Sequence, residues 1–129
     1  MDWRWLLFSF EGRINRAKFW LGVLLLMAAY LVAYIIIGVA FGGVYYDANG
    51  IPQVSRMAWV LVFILWLAGL YMSFAIYAKR WHDRDKSGWW TLIGFIPVIG
   101  GIWLLVECGC LPGTEGPNQY GPDPLAGER

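Results

Sequence analysis

Two long uncharged runs constrain this chain more than any other feature of its sequence. Residues 19–41 and 57–78 contain no Asp, Glu, Lys, Arg or His. As helices they would each be about 33 Å long, and a hydrocarbon core about 30 Å thick requires that length. Hydrophobic residues make up 59% of the 129 residues and charged residues 15%, against roughly 25% charged in soluble proteins. The sequence therefore predicts an all-α membrane protein with two transmembrane helices.

A third apolar segment covers residues 89–106 and is just long enough to span a bilayer. Pro97 lies in its middle, followed closely by Gly100 and Gly101. Proline removes a backbone donor and glycine weakens a helix, so a break is expected near position 97. A kinked third span and a re-entrant hairpin both fit. We favour the kinked span, because irregular backbone in hydrocarbon needs shelter from other helices.

The polar segments complete a single membrane domain. Residues 1–18 read as an N-terminal interfacial amphipathic segment, and residues 79–88 as a charged loop in which Lys79 and Arg80 extend to the headgroups. Gly42 and Gly43 are expected to close the first helix, and the sequence from Asp47 to Pro52 indicates a turn. Residues 107–129 form a Gly/Pro-rich tail, predicted to be extended and rich in turns.

Basic residues predict the orientation. Segments 1–18 and 79–88 hold eight of the ten Lys and Arg residues and are joined by two spans. Because Lys and Arg accumulate on the cytoplasmic side, both segments are predicted to be cytoplasmic. The tail would then be outside if residues 89–106 span the bilayer, and cytoplasmic if they form a hairpin.

Three motifs, in order, resemble one family. Their residues are Gly12, Arg13, Arg16, Phe19 and Trp20; then Arg80, Asp83, Ser87, Gly88 and Trp89; then Asn118, Tyr120, Gly121, Asp123 and Pro124. Together they resemble the small bacterial inner-membrane proteins labelled domain of unknown function 805. Gln119 departs from the basic residue that members often carry there. The resemblance implies a multi-pass protein of the bacterial inner (plasma) membrane, and the family has no established activity to transfer.

The charged island around His82, Asp83 and Asp85 admits two interpretations. It could form a metal or acid/base site, but neighbouring loop residues rarely converge and the chain has no second histidine. We therefore expect no metal and no cofactor. The other interpretation is that Asp83 pairs with nearby or N-terminal arginines, which would clasp the two cytoplasmic segments together. Cys108 and Cys110 are too close for an easy disulfide.

These features favour a non-catalytic membrane interaction or assembly module. No catalytic motif is found, so no enzyme activity is predicted, and no basic patch suggests nucleic acid. The expected partners are the lipid bilayer, including anionic headgroups, and a second copy or another membrane protein. Small residues at four-residue spacing could mediate helix contact: Ala29/Ala33, Gly38/Gly42 and Gly69/Ser73.

Two alternative functions remain open. The first is a small oligomeric channel or transporter that uses the break from Pro97 to Gly101. The second is an interfacial enzyme that acts on headgroups through His82, Asp83 and Asp85. A water-filled cavity lined by residues 94–101 would support the channel. Convergence of the island with Glu11 or Asn15 in a cleft would support the enzyme.

Overall fold

Two long helices dominate the chain. The computed structural model describes residues 2–41 and 44–127. Its elements are α1 (Trp3–Phe8), α2 (Arg16–Ala40), β1 (Val44–Tyr46), β2 (Pro52–Val54), α3 (Arg56–Asp83), a 3₁₀ helix (Gly88–Phe95), α4 (Ile99–Leu104) and a π-helical turn (Leu105–Cys110). Helices α2 and α3 are long and apolar enough to cross a membrane. The predicted all-α membrane fold with two transmembrane helices is confirmed, with one small β-hairpin in addition.

Both long helices extend beyond the uncharged runs. Helix α2 begins at Arg16, where the Asn15 side chain accepts a hydrogen bond from the Lys18 backbone N–H at 2.8 Å. Helix α3 continues to Asp83, so the first half of the predicted 79–88 loop is helical. The basic side chains there are buried and bound to protein carbonyls, which holds the last turns together. Gly42 and Gly43, expected to close the first helix, lie outside the described residues.

The chain divides into two compact units, one of residues 24–70 and one of the residues before and after them. In the 24–70 unit, Gly69 leaves room for the Tyr30 hydroxyl, which would lie 2.7 Å from a Cβ at that position. That hydroxyl donates a hydrogen bond to the Leu65 carbonyl. The two helices therefore touch at Gly69 through a side chain inserted where a larger residue would not fit.

The predicted turn closes a β-hairpin in the same unit. Strands β1 and β2 pair antiparallel, with Val44 opposite Val54. The Asp47 carboxylate accepts hydrogen bonds from the backbone N–H groups of Asn49 and Ile51 at 2.8 and 2.9 Å. The sequence predicted the turn but not the strands, because three-residue strands are too short to show an alternating pattern.

The other unit contains α1, the start of α2, the end of α3, the third apolar segment and the tail. Its buried apolar side chains come from several of these elements: Leu6, Ile14, Phe19, Ile76, Trp81 and Cys108. Gly22 of α2 lies close to Ile76 of α3, whose Cδ1 would be 3.2 Å from an added Cβ. After Cys110 the tail has turns and one isolated bridge between Asn118 and Gly121. Residues 107–110 belong to the π-helical turn, which corrects the extended conformation predicted from Glu107 onward.

The third apolar segment is a hairpin rather than the kinked span that we favoured. The 3₁₀ helix ends at Phe95, the chain reverses at residues 96–98, and α4 returns against it. Eight residues of 3₁₀ helix rise about 16 Å, which is half of a hydrocarbon core. The kinked helix expected over residues 89–106 is therefore not formed, and the segment has the hairpin shape of the second alternative.

Two residues explain why the segment folds back instead of kinking. A Cβ on Gly100 would lie 1.9 Å from the Ile93 carbonyl oxygen, so the two arms meet backbone to backbone there. Val98, just after Pro97, has a φ of 64°, a conformation that reverses the chain and that β-branched residues rarely adopt. The close approach of Gly100 to Ile93 packs α4 directly on the backbone of the 3₁₀ helix.

Candidate functional site

Asp83, at the end of α3, is the centre of a buried group of charges. Its Oδ1 lies 2.9 Å from Nη2 of Arg13, and its Oδ2 lies 2.6 Å from Nη1 of Arg80. All three side chains are almost completely buried. We call Arg13, Arg80 and Asp83 the ionic cluster. It contains the predicted ion pair that clasps the N-terminal segment to the end of α3.

The ionic cluster also binds the tail, which the sequence did not predict. Arg13 donates hydrogen bonds to the carbonyls of Thr114 at 2.7 Å, Gly116 at 2.8 Å and Gly121 at 3.2 Å. The Asp83 carbonyl accepts from the Thr114 N–H at 2.6 Å. A guanidinium has five donors in a fixed fork, so one Arg13 can hold a carboxylate and several carbonyls together. All three motifs therefore meet at Arg13 and Asp83.

Gly113 makes this contact possible. A Cβ at position 113 would lie 1.9 Å from the Asp83 carboxylate. Because glycine has no side chain, the tail backbone can pass directly beside the ionic cluster at position 113. No periodic pattern in the sequence could have indicated the approach, because it joins residues thirty positions apart.

The sequence predicted that Lys79 and Arg80 extend to the headgroups, and this prediction is wrong. Both side chains are fully buried. The Lys79 ammonium donates to the carbonyls of Trp5, at 3.1 Å, and Ser9. Arg80 donates to the carbonyl of Cys108 at 2.6 Å and to that of Leu111. Lys79 therefore binds the C-terminal end of α1, and Arg80 binds the C-terminal end of the π-helical turn.

His82 packs as a structural residue. Its Nδ1 lies 3.0 Å from the Gly12 carbonyl oxygen, and its ring stacks on Tyr120 with the ring centres 3.9 Å apart. The Asn118 amide donates to the His82 carbonyl at 2.9 Å. Asp85 is exposed and does not converge with His82 and Asp83. Among the described residues, no three His, Cys, Asp or Glu side chains are grouped to hold a metal ion.

The remaining N-terminal motif residues attach α2 to the hairpin. Arg16 donates to the Cys110 carbonyl at 2.8 Å, and the Trp20 indole donates to the Gly109 carbonyl at 2.9 Å. Phe19 is buried with its ring 5.3 Å from that of Tyr77. Gly12 has a φ of +98°, which L side chains rarely adopt. Each residue of this motif therefore has a positional role.

Motif residues from the island and the tail have similar roles. Ser87 caps the 3₁₀ helix by accepting from the Trp89 N–H at 3.3 Å. Gly88 lies against Ala78, whose Cβ would be 2.7 Å from an added Cβ. The Asp123 carboxylate accepts from the Gly116 N–H at 2.9 Å and begins the turn at Pro124. Trp89 and Pro97 are exposed on the hairpin.

A second ionic group joins the hairpin to the island. The Glu107 carboxylate lies 2.5 Å from Arg84 Nε and 3.0 Å from Lys86 Nζ; we call these three residues the hairpin base. Burial raises the pKa of Glu107, but the hydrogen bonds and charges of Lys86 and Arg84 outweigh it, so the pKa lies below its usual value. Sequence reasoning missed Glu107, because no motif includes it.

Comparisons with known proteins show the family of the chain. A family model described as "Protein of unknown function (DUF805)" matches residues 7–122, which include the first two motifs and the third as far as Gly121. The chain belongs to this family. It is 33% identical to the inner membrane protein YhaI of Escherichia coli K12, over 92% of this chain and 88% of the relative. Identity to the inner membrane protein YhaH is 31%, over 90% and 87%.

A third relative has a name that gives neither a function nor a cellular location. The uncharacterized protein YiiR of Escherichia coli K12 is 30% identical over 91% of this chain and 86% of its own length. No solved structure matches the chain. Together with the apolar helices α2 and α3, membership shows a membrane protein of a family whose function is unknown.

Proposed function

We propose that this protein is a non-catalytic assembly module of the bacterial inner membrane that associates with a second copy of itself. Support for the location comes from the relatives YhaH and YhaI, which are named inner membrane proteins. The excess of Lys and Arg in segments 1–18 and 79–88 supports a cytoplasmic position for both. Since the tail binds Arg13 and Asp83, the proposal also puts residues 111–127 in the cytoplasm.

The non-catalytic role rests on one observation: the polar groups of the motifs hold the fold together. Arg13, Arg80 and Asp83 are buried and bind one another or backbone carbonyls. His82 is stacked on Tyr120 and bonded to Gly12. A catalytic acid, base or nucleophile must reach a substrate. The motif groups of the ionic cluster are instead committed to positions inside the protein.

The exposed spans support self-association. Within the 24–70 unit, most apolar side chains of both helices are exposed, including Leu31, Ile35, Phe63 and Trp66. Ala29 is also exposed, and small residues allow helices of two protomers to approach closely. Gly69 is in close contact with Tyr30 within the protomer, whereas Ala29 is among the small residues that remain exposed for contact between protomers.

Energy transfer between labelled copies in liposomes tests this proposal. Ala29→Leu should weaken association, because its longer side chain separates the helices. Ala28→Leu is the matched control: it is also exposed but lies about 100° around the helix. Transfer that is absent in the wild type at every protein-to-lipid ratio would contradict self-association. Equal loss in the two variants would show that the Ala29 face is not the interface.

The structure offers the channel alternative no specific support. The break from Pro97 to Gly101 forms the tip of the hairpin, and Gly100 there packs directly on backbone. The cavity that the structure describes nearby is lined mainly by apolar side chains of α4 and the π-helical turn. The enzyme alternative needed His82, Asp83 and Asp85 to converge, and they do not.

A further inference from the structure

An apolar groove runs along the outside of the second arm of the hairpin. It is an open cavity of about 410 Å³, lined by Ile99, Ile102, Trp103, Val106, Glu107 and Leu111. The first four of these residues recur at intervals of three and four, so they form one stripe along the helical turns. All four are exposed, Ile99 and Ile102 by about 60%. The groove is therefore an unfilled apolar surface of defined length.

The end of the groove is charged. Glu107 belongs both to the groove and to the hairpin base, where it binds Arg84 and Lys86. The two cations and one carboxylate of the hairpin base sum to a charge of +1. The Lys86 ammonium lies 5.6 and 5.7 Å from the centres of the Trp81 and Trp90 rings, which hold it in place. About 36% of the Lys86 side chain stays exposed, so it can bind a further anion.

The apolar composition of the hairpin identifies the occupant. Residues 87–106 carry no charge between Lys86 and Glu107, and only residues 84–87 separate α3 from the 3₁₀ helix. The hairpin tip is apolar and exposed, with Val98 at 77%. A hairpin with its tip in hydrocarbon and its ionic base at the headgroups faces phospholipid along its whole length. A net positive end selects for a phosphate without a compensating ammonium group.

We propose that this groove binds one anionic phospholipid, with an acyl chain along Ile99, Ile102 and Val106 and the headgroup phosphate on Lys86 and Arg84. The site does not depend on self-association through α2, since it lies within one protomer. Phosphate oxygens accept charge-assisted hydrogen bonds from ammonium and guanidinium groups. The acyl chain supplies apolar contact that a soluble phosphate lacks, so the ligand is a lipid and not a free phosphate ester.

Native mass spectrometry of the delipidated full chain tests the site. The protein is titrated with phosphatidylglycerol or with phosphatidylcholine of the same acyl chains. We expect one phosphatidylglycerol to be retained in preference, and Lys86→Gln to reduce that preference about fivefold, the factor for one basic residue near anionic lipid. Lys86→Arg should restore it. Glycerol phosphate should not compete, because it has no acyl chain.

Two controls separate this site from general attraction to a basic surface. Lys18→Gln removes an exposed cation that does not line the groove, and should leave the preference unchanged. Ile102→Asn makes the groove polar without touching the hairpin base, and should weaken retention of both lipids by a similar factor. Equal effects of Lys18→Gln and Lys86→Gln, or no preference in the wild type, would overturn the proposal. Retention unaffected by Ile102→Asn would also overturn it.

Discussion

At the scale of single residues, Asp83 determines how the charged motifs are satisfied. Its two oxygens bind two different arginines, and all three side chains are buried. A buried ion pair contributes little net stability when it is intact, but removing one partner leaves an uncompensated charge in a medium that solvates it poorly. Loss of the Asp83 charge should therefore lower the free energy of unfolding by more than the number of its hydrogen bonds suggests.

Asp83→Asn should lower the free energy of unfolding by about 3–5 kcal/mol, because Arg13 and Arg80 lose their shared counter-charge. Chemical unfolding in detergent micelles measures it. Asp85→Asn is the matched control: Asp85 is exposed at a φ of 60°, which asparagine tolerates. Its expected change is within about 0.5 kcal/mol. Equal losses in the two variants would contradict the central role of Asp83.

A charge swap should not rescue this cluster. From the sequence alone, Asp83→Arg with Arg13→Asp would restore a simple clasp. In the structure Arg13 also donates to three tail carbonyls, which an aspartate cannot do, and Arg80 would face a second arginine. We expect the double variant to accumulate in the membrane no better than either single variant. Recovery to wild-type level would mean that the tail contacts contribute little.

The two cysteines should differ in reactivity, although they lie two positions apart. Burial raises the pKa of Cys108 to about 12, and thiols react as thiolates. Cys110 is exposed. In detergent at neutral pH, a maleimide should modify the Cys108→Ala variant rapidly and the Cys110→Ser variant slowly, as read by mass spectrometry. Similar rates would show that the end of the hairpin opens readily.

At the scale of elements, the hairpin shows where sequence reasoning reached its limit. Pro97 and the two glycines indicated a break, but a break alone is compatible with a kink or a reversal. The choice depends on Gly100 meeting the Ile93 carbonyl and on Arg80 binding the Cys108 carbonyl. The first contact joins residues seven positions apart across the reversal and the second joins residues 28 positions apart, so the periodicity of the sequence reports neither. The two spans, in contrast, follow from composition and length alone.

The glycine pair of the hairpin offers a sharp test. Gly100→Ala should destabilise the protein by about 1–3 kcal/mol, since its Cβ would overlap the Ile93 carbonyl oxygen. Gly101→Ala meets nothing within 4 Å and should be neutral or stabilise α4 by up to about 1 kcal/mol. Thermal unfolding in micelles compares them. Equal stabilities of the two variants would contradict the close approach of Gly100 to the Ile93 carbonyl.

The hairpin base should make stability depend on pH. The folded-state pKa of Glu107 is lowered, so its contribution is present above the usual glutamate pKa and is lost as pH falls through the folded-state value. Glu107→Gln should remove that part of the acid sensitivity, measured as the midpoint of unfolding at several acidic pH values. An unchanged pH profile would show that the ion pairs at the base contribute no stability.

At the scale of the whole molecule, the three family motifs bind one another. They come from the start, the middle and the end of the chain and meet at Arg13 and Asp83. The pair between Arg13 and Asp83 could be anticipated from opposite charges on two segments predicted to share a side. The binding of the tail to Arg13 could not, because it uses the backbone carbonyls of Thr114, Gly116 and Gly121, which carry no signal in the sequence.

The most direct test of this account is the side of the membrane that the tail occupies. Single cysteines are introduced by Lys18→Cys, Asn49→Cys or Gln119→Cys in a chain that carries Cys108→Ala and Cys110→Ser, and each of the three positions is exposed. An impermeant maleimide should label Asn49→Cys in intact cells. Lys18→Cys and Gln119→Cys should be labelled after the membrane is opened. Labelling of Gln119→Cys together with Asn49→Cys in intact cells would separate the tail from Arg13 and contradict the ionic cluster.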